Sequence, residues 1–159
     1  MTRIAISGHR GLPPRTTELI DTAIRAALAD HTPGLTGISC LADGADQLFA
    51  RAVTDLGGTL EVIIPAAQYR ERLPKDTWPD YDRLLALAAT VQRLPYTESD
   101  PEAHMAASTL MIDTADILYA VWDGLPARGY GGTADVVEYA RQRDIPVQVI
   151  WPDGAQRGT

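Results

Sequence analysis

The sequence is poor in the residues that build disulfides and metal sites. Its one cysteine, Cys40, lies in an apolar segment and has no partner for an internal disulfide. A single cysteine is typical of a protein from a reducing compartment. We expect Cys40 to serve as a small buried apolar side chain. The histidines His9, His31 and His104 are far apart and match no zinc-ligand spacing. We expect no metal centre and no cofactor.

The sequence also lacks long apolar runs and an excess of positive charge. No apolar stretch reaches the roughly 20 residues that a membrane helix needs. Nothing resembles a secretory signal, because only Ile4-Ala5-Ile6 follows Arg3 before polar residues and glycines begin. The formal net charge of −7 disfavours attraction to nucleic acid backbones or anionic membranes. We expect a cytoplasmic protein with no membrane partner and with nucleic acid disfavoured as a partner.

Short apolar segments alternate with helical segments along the chain. The segments are apolar throughout, which is typical of a parallel sheet covered on both faces. The predicted strands are Arg3–Ser7, Leu35–Leu41, Thr59–Ile64, Thr90–Leu94, Asp116–Trp122 and Pro146–Trp151. The pattern predicts a single three-layer, Rossmann-like α/β domain over residues 1–152, with an open, mostly parallel sheet of about six strands. Residues 153–159 are predicted to be a frayed tail.

Apolar residues at helical spacing fill the gaps between these strands. The first helix is predicted from Thr16 or Thr17, because Pro13-Pro14 prevents an earlier start, and it ends before Pro33-Gly34. The later predicted helices are one from Asp43 to Leu56, then Tyr81–Ala89, Glu102–Asp113 and Thr133–Arg143. The apolar positions Val136 and Val137 can pack on the sheet or on a second subunit, so a homo-oligomer is possible.

The segment from Gln68 to Asp80 is dense in charge, proline and aromatic residues, and a short helix with a lid is one interpretation. Within and beside it, Trp78 and Tyr81 with Arg70 and Arg72 can either stack on a nucleobase or cover the sheet edge. Aromatic packing is the commoner arrangement.

The stretch from Trp122 to Thr133 joins a predicted strand to a predicted helix through four glycines. Glycines let an external group approach the main chain closely, and a helix start aims unpaired N–H groups and a positive dipole at it. This arrangement favours a phosphate site formed by Gly131, Gly132 and Thr133, with Arg128 free to swing onto the ligand. The alternative is a flexible loop in which Thr133 is an ordinary N-cap and Arg128 a solvated charge.

Two further glycine turns follow predicted strands. Gly8-His9-Arg10 offers close backbone approach, an imidazole and a guanidinium that can hold phosphate bidentately. Asp43, Gly44 and Asp46 open the second helix: Asp43 is either its N-cap or a ligand contact, and Asp46 can bond a ribose hydroxyl. If the fifth strand packs beside the first, where strand order reverses, these turns gather at one crevice.

Neither standard phosphate motif is present, since no lysine follows the late glycines and no GxGxxG follows the first strand. The ordered set Ile4-Ala5-Ile6-Ser7-Gly8-His9-Arg10, Cys40-Leu41-Ala42-Asp43-Gly44-Ala45-Asp46 and Gly131-Gly132-Thr133 nevertheless resembles the SLOG superfamily of Rossmann-like domains. That superfamily includes DNA-processing protein A, YpsA-type proteins and LOG phosphoribohydrolases. The resemblance implies a nucleotide-like ligand at the carboxyl edge of the sheet, with the late glycine motif on its phosphate.

In the phosphoribohydrolase branch the resembled motif is PGGxGTxxE, whose glutamate takes part in catalysis. Alignment on Gly132-Thr133 puts Val136 at that glutamate's position, and Glu138, two residues further, is a weak catalytic candidate. The leading hypothesis is therefore binding or sensing of a nucleotide-derived molecule. The rival is an N-glycosidic hydrolase in which Glu138 or Asp46 acts as acid or stabilising carboxylate while Arg10 or Arg128 holds the phosphate.

Overall fold

The structure is a computed structural model that describes residues 1–158. One sheet contains β1 (Thr2–Gly8), β2 (Leu35–Ser39), β3 (Thr59–Ala66), β4 (Thr90–Tyr96), β5 (Ile117–Val121) and β6 (Val147–Val149). The strand order is β4-β3-β2-β1-β5-β6, and every neighbouring pair is parallel. The predicted fold class, an open six-stranded Rossmann-like sheet, is confirmed.

The helices are α1 (Pro14–Ala29), α2 (Ala45–Asp55), α3 (Trp78–Leu87), α4 (Pro101–Thr114) and α5 (Thr133–Gln142). The first begins earlier than the sequence predicts, because proline has no N–H to lose and its fixed φ suits the first helical position. The segment before α3 contains two short 3₁₀ helices, Arg70–Arg72 and Lys75–Thr77. No helix within residues 1–158 is both long and apolar enough to cross a membrane.

The three layers follow from the alternation of side chains along the strands. Ile4 and Ile6 of β1 pack with apolar residues of α1 and α2, whereas Ala5 between them packs with the cluster that includes α4 and α5. Val136 and Val137 are buried in that second cluster. They therefore give no support to a homo-oligomer, which stays a prediction.

The strand order reverses between β1 and β5. From β1 the chain adds β2, β3 and β4 on one side and then crosses over to add β5 and β6 on the other. The carboxyl ends of these two strands lie side by side, with Gly8 in register with Val121. The crevice predicted from the sequence therefore opens at this switch point.

The aromatic residues near α3 pack against the protein. Tyr81 is buried, and the guanidinium of Arg70 lies 4.4 Å from the ring centroid of Trp78 while it pairs with Asp82. The indole N–H of Trp78 donates to the carbonyl of Leu73 at 3.1 Å. This is the edge-covering arrangement rather than an open stacking platform.

Candidate functional site

A crevice of about 300 Å³ lies at the carboxyl ends of β1 and β5. Most of the predicted binding residues line it, and they come from all three glycine turns: Gly8, His9, Arg10, Asp46, Arg128, Gly131, Gly132 and Thr133. Asp43 and Gly44 do not line this crevice and instead border a separate groove beside α3. Arg10 and Thr133 thus share one cavity although 123 positions separate them.

Arg10 is held in the crevice wall by Asp43. The Nε of Arg10 donates to one carboxylate oxygen of Asp43 at 2.8 Å, and the N–H of Gly11 donates to the other at 3.0 Å. The two terminal nitrogens of Arg10 have no hydrogen-bond partner among residues 1–158, and the side chain is about half exposed (47%). This end-on presentation suits bidentate binding of a phosphate.

The start of α2 closes directly onto the turn after β1. Gly44 has a φ of +84°, and a Cβ there would lie 2.6 Å from the carbonyl oxygen of His9. The N–H of Ala45 donates to that same carbonyl at 3.2 Å. Asp43 and Gly44 therefore organise the wall that carries Arg10, while their predicted role as direct ligand contacts stays untested.

His9 links β1 to the loop after β5. Its Nε2 accepts the backbone N–H of Asp123 at 3.1 Å, and its ring packs edge-on against Trp151 with centroids 5.5 Å apart. Burial lowers the pKa of His9, and the charge of Arg157 lowers it further, against the opposing effect of the Asp123 carboxylate. A neutral imidazole that accepts a backbone N–H positions the loop and is poorly suited to hold a phosphate by charge.

The start of α5 forms the facing wall. Gly132 is the N-cap and makes no side-chain cap, and Thr133 is the first helical residue. The N–H of Gly131 donates to the Asp135 carboxylate at 2.9 Å, but the N–H groups of Thr133 and Ala134 have no backbone partner among the described residues. Thr133 lines the crevice, so it offers there an N–H with no backbone partner among the described residues and a hydroxyl, both at the positive end of the α5 dipole.

Asp46 contributes the carboxyl group of the crevice lining. One of its oxygens accepts the N–H of Ala42 at 3.3 Å. Burial raises the pKa of Asp46 to about 7, against the opposing effects of the Ala42 N–H and the Arg10 charge. Near neutral pH this group is thus divided between an acid that can donate a hydrogen bond and a carboxylate that would repel phosphate.

Glu138, the weak catalytic candidate, lies outside the crevice. It is exposed on α5, where a side-chain oxygen accepts from the amide of Gln142 at 3.2 Å. Val136, which the resemblance aligns with the phosphoribohydrolase glutamate, is buried in the core. Helical geometry thus carries Glu138 to the solvent face, and no described contact brings it to the crevice.

Sequence reasoning missed Tyr69, His104 and Arg157, which also line the crevice. Tyr69 and His104 meet edge to face with ring centroids 5.7 Å apart, and Nε2 of His104 lies 2.7 Å from the hydroxyl of Ser99. Burial lowers the pKa of His104, and the nearby Arg10 charge lowers it further. The dense charge and aromatic content around residue 69 was the one signal that could have indicated this wall.

The segment predicted to be a frayed tail contacts the crevice. Arg157 is only 16% exposed, with Nη1 3.5 Å from a carboxylate oxygen of Asp123. Arg128 donates from Nη1 to the carbonyl of Gly158 at 2.7 Å, and the N–H of Gln156 donates to the Thr16 hydroxyl at 2.8 Å. The domain boundary at residue 152 stays a prediction, but Arg157 and Gly158 lie at the rim of the site.

No family model matches the chain, and no curated protein matches it. Solved structures do. DNA processing protein A of Helicobacter pylori aligns with a TM-score of 0.69 and 16% identity over 98% of this chain and 68% of its own. DNA processing protein A of Streptococcus pneumoniae aligns with a TM-score of 0.67 and 15% identity over 94% of this chain. This chain spans only 50% of the length of that protein.

The molybdenum cofactor binding protein of Rippkaea orientalis aligns with a TM-score of 0.60 and 13% identity, covering 93% of this chain and 75% of its own. At these identities the likeness establishes the fold alone. The resemblance to the SLOG type of Rossmann-like fold is confirmed at that level. The ligands of these neighbours differ, which supports ligand binding by such folds in general without indicating which ligand.

The prediction that nucleic acid is disfavoured as a partner is wrong. The neighbours include two DNA processing protein A chains, and the Helicobacter pylori protein binds single-stranded DNA. The prediction relied on the net charge of the whole chain, whereas contact with a phosphate depends on local charge. Here Arg10, Arg128 and Arg157 line one crevice of an otherwise acidic protein.

Proposed function

We propose that this crevice binds or senses a nucleotide or nucleotide-derived small molecule and holds it by a phosphoryl group. The observation that carries the proposal is the pairing of two anion-binding walls. Arg10 lies on one wall, and its terminal nitrogens have no hydrogen-bond partner among residues 1–158. Thr133 at the start of α5 lies on the other wall, and its N–H has no backbone partner among the same residues. Each wall is a recurrent phosphate-binding device, and their combination fixes both charge and orientation.

The size and charge of the crevice favour a small ligand. Its volume of about 300 Å³ is at the lower end of the range for small-molecule sites. Arg10 and Arg157 are partly compensated by Asp43 and Asp123, so the remaining positive charge comes mainly from Arg128 and the helix terminus. The charge of a single phosphoryl group matches this remaining positive charge better than the charge of a triphosphate does.

Calorimetry against a panel of ligands tests the proposal. The panel comprises the four ribonucleoside monophosphates, their di- and triphosphates, ribose 5-phosphate and a nucleotide sugar. We expect monophosphates to bind and Arg10→Ala to weaken them by about tenfold or more, because a hydrogen-bonded charge is lost. Arg143→Ala, on an exposed arginine at the far end of α5, is the charge-matched control. Absence of binding by every member would refute the proposal.

A strand of nucleic acid presents the same phosphate chemistry. The panel therefore includes a single-stranded oligothymidylate with and without a 5′-phosphate. Binding that requires the terminal phosphate would indicate that the strand uses the crevice as a mononucleotide does. Equal binding of both forms, unaffected by Arg10→Ala, would indicate a different surface and a DNA-binding function.

A second candidate function is N-glycosidic hydrolysis, which the position of Asp46 favours. Asp46 lines the crevice, and its raised pKa of about 7 lets it donate or accept a proton near neutral pH. Chromatography of free base after incubation with nucleoside monophosphates tests this function. Release that is lost in Asp46→Asn, with binding retained and Glu138→Gln unaffected, would establish the enzyme. Binding without release would leave the sensing function.

A further inference from the structure

Residues 155–158, which we call the strap, contact α1 at one end and the loop before α5 at the other. On one side the N–H of Gln156 donates to the hydroxyl of Thr16 on α1 at 2.8 Å, and Thr16 is almost fully buried. On the other side the carbonyl of Gly158 accepts from Arg128 in the loop before α5 at 2.7 Å. The strap therefore connects α1 with the loop that carries Arg128.

Gly158 lies directly against the turn after β1. A Cβ added at this position would overlap the carbonyl oxygen of Gly11, so only glycine allows the strap to lie so close. Gly129, in the loop that carries Arg128, has nothing within 4 Å of the same hypothetical atom. These two glycines offer a matched pair of substitutions, one that must displace the strap and one that need not.

The strap also brings charge to the site. Arg157 lines the crevice with a side chain that is mostly withdrawn from solvent (16% exposed), although arginine is usually found exposed. The carboxylate of its partner Asp123 accepts the N–H of Leu125 at 3.0 Å, and the backbone N–H of Asp123 donates to Nε2 of His9 at 3.1 Å. Arg157 lies 3.5 Å from Asp123, which is long for an ion pair, and so it remains available to a stronger anion.

We propose that the strap is a clamp on the anion site, in which Arg157 is a ligand-binding residue that joins Arg10 and Arg128 on the bound phosphate. This inference rests on the proposed function. The strap completes the site rather than blocking it, because its contact with Arg128 is a neutral carbonyl and the other nitrogens of that guanidinium have no hydrogen-bond partner among residues 1–158. The same contact holds Arg128, which otherwise belongs to an exposed loop, at the crevice.

Calorimetry with ribose 5-phosphate, which has no base to add contacts of its own, tests the clamp. We expect Arg157→Ala to weaken binding about tenfold or more, and Arg143→Ala, which changes the net charge equally, to stay within twofold. Gly158→Ala is expected to weaken binding although it removes no charge, whereas Gly129→Ala is expected to stay within twofold. The melting temperature of each variant shows whether the fold is retained.

The failures of the two proposals are distinguishable. If the unchanged chain binds no member of the ligand panel, both are overturned; if it binds a nucleotide but not ribose 5-phosphate, the same variants are measured with that nucleotide. If it binds and Arg10→Ala abolishes binding while Arg157→Ala and Gly158→Ala have no effect or strengthen it, the clamp alone is overturned. Trypsin provides a second measurement: saturating ribose 5-phosphate should slow cleavage after Arg157 in the unchanged chain, followed by mass spectrometry. An unchanged cleavage rate under saturation would also overturn the clamp.

Discussion

Asp43 holds Arg10 by its Nε, which lies 2.8 Å from the carboxylate, and the terminal nitrogens of this crevice-lining arginine have no hydrogen-bond partner among residues 1–158. The second oxygen of Asp43 takes the N–H of Gly11. One carboxylate thereby fixes both the guanidinium and the backbone of the turn that carries it. Preorganisation of this kind lowers the ordering cost that a flexible arginine would incur on binding.

The first prediction concerns the coupling between these two residues. Asp43→Ala should weaken ribose 5-phosphate binding about tenfold because Arg10 loses its fixed orientation, even though a negative charge has been removed. In an Arg10→Ala background the same substitution should have little further effect. A double-mutant cycle by calorimetry measures this. Additive effects of the two substitutions would show that Asp43 acts independently of Arg10.

The sheet and the position of the crevice were predictable because they depend on local patterns. Continuous apolar segments separated by helical periodicity identify a parallel sheet, and a strand-to-helix turn with glycine marks its carboxyl edge. Gly8 and Gly132 stand at such turns, and both border the crevice. If the fifth strand packs beside the first, the strand order reverses between them, and the glycine turns are brought together at that point.

What sequence could not predict is which residues of a turn face the ligand. Asp43 and Arg10 are 33 positions apart, and their ion pair depends on how α2 docks on the β1 turn. Arg157 falls in the segment predicted to be a frayed tail, because the ends of a domain are usually poorly ordered. Its contacts with the Asp123 region are tertiary, so no local pattern encodes them.

The second prediction concerns the stability contributed by Asp46. Its pKa is about 7 in the folded chain and near 3.8 when unfolded, so the folded state binds more protons between these values. Its contribution to stability is therefore complete below pH 4 and is lost as the pH rises to about 7. The unfolding free energy of Asp46→Asn, measured relative to that of the unchanged chain, should therefore rise by a few kcal/mol between pH 4 and about pH 7. Above that pH the difference should stay constant.

Urea unfolding at a series of pH values measures this difference. Other carboxyl groups titrate in the same range, so the comparison is between Asp46→Asn and the unchanged chain rather than between pH values alone. Glu138→Gln, at an exposed position on α5, is the control and should track the unchanged chain. A constant difference across the whole window would contradict the assignment of a raised pKa to Asp46.

The third prediction concerns Gly8, where close packing rather than an unusual φ requires glycine. A Cβ there would overlap the Cβ of Ala45 and lie 2.7 Å from the Cβ of Val121, so α2 and β5 would each have to shift away from β1. We expect Gly8→Ala to cost about 1–3 kcal/mol of unfolding free energy. Gly129→Ala, which meets no atom within 4 Å, should be close to neutral. Equal stability of the two variants in urea would refute this packing argument.

The fourth prediction separates the two interpretations of Thr133. As an N-cap, its side chain would accept a backbone N–H and its loss would cost about 1 kcal/mol of stability. In the structure the cap is Gly132, and Thr133, which lines the crevice, has a hydroxyl without a hydrogen-bond partner among the described residues. Thr133→Val keeps the shape of the side chain and removes only its hydrogen bonding.

We therefore expect Thr133→Val to weaken ribose 5-phosphate binding several-fold, by the roughly 1 kcal/mol of one hydrogen bond, while the unfolding free energy changes little. Thr133→Ser, which restores the hydroxyl, should recover most of the affinity. Calorimetry and urea unfolding on both variants decide between the interpretations. Lost stability with unchanged affinity would mean that Thr133 only stabilises the start of the helix. The proposal that the N-terminus of α5 binds the phosphate would then be refuted.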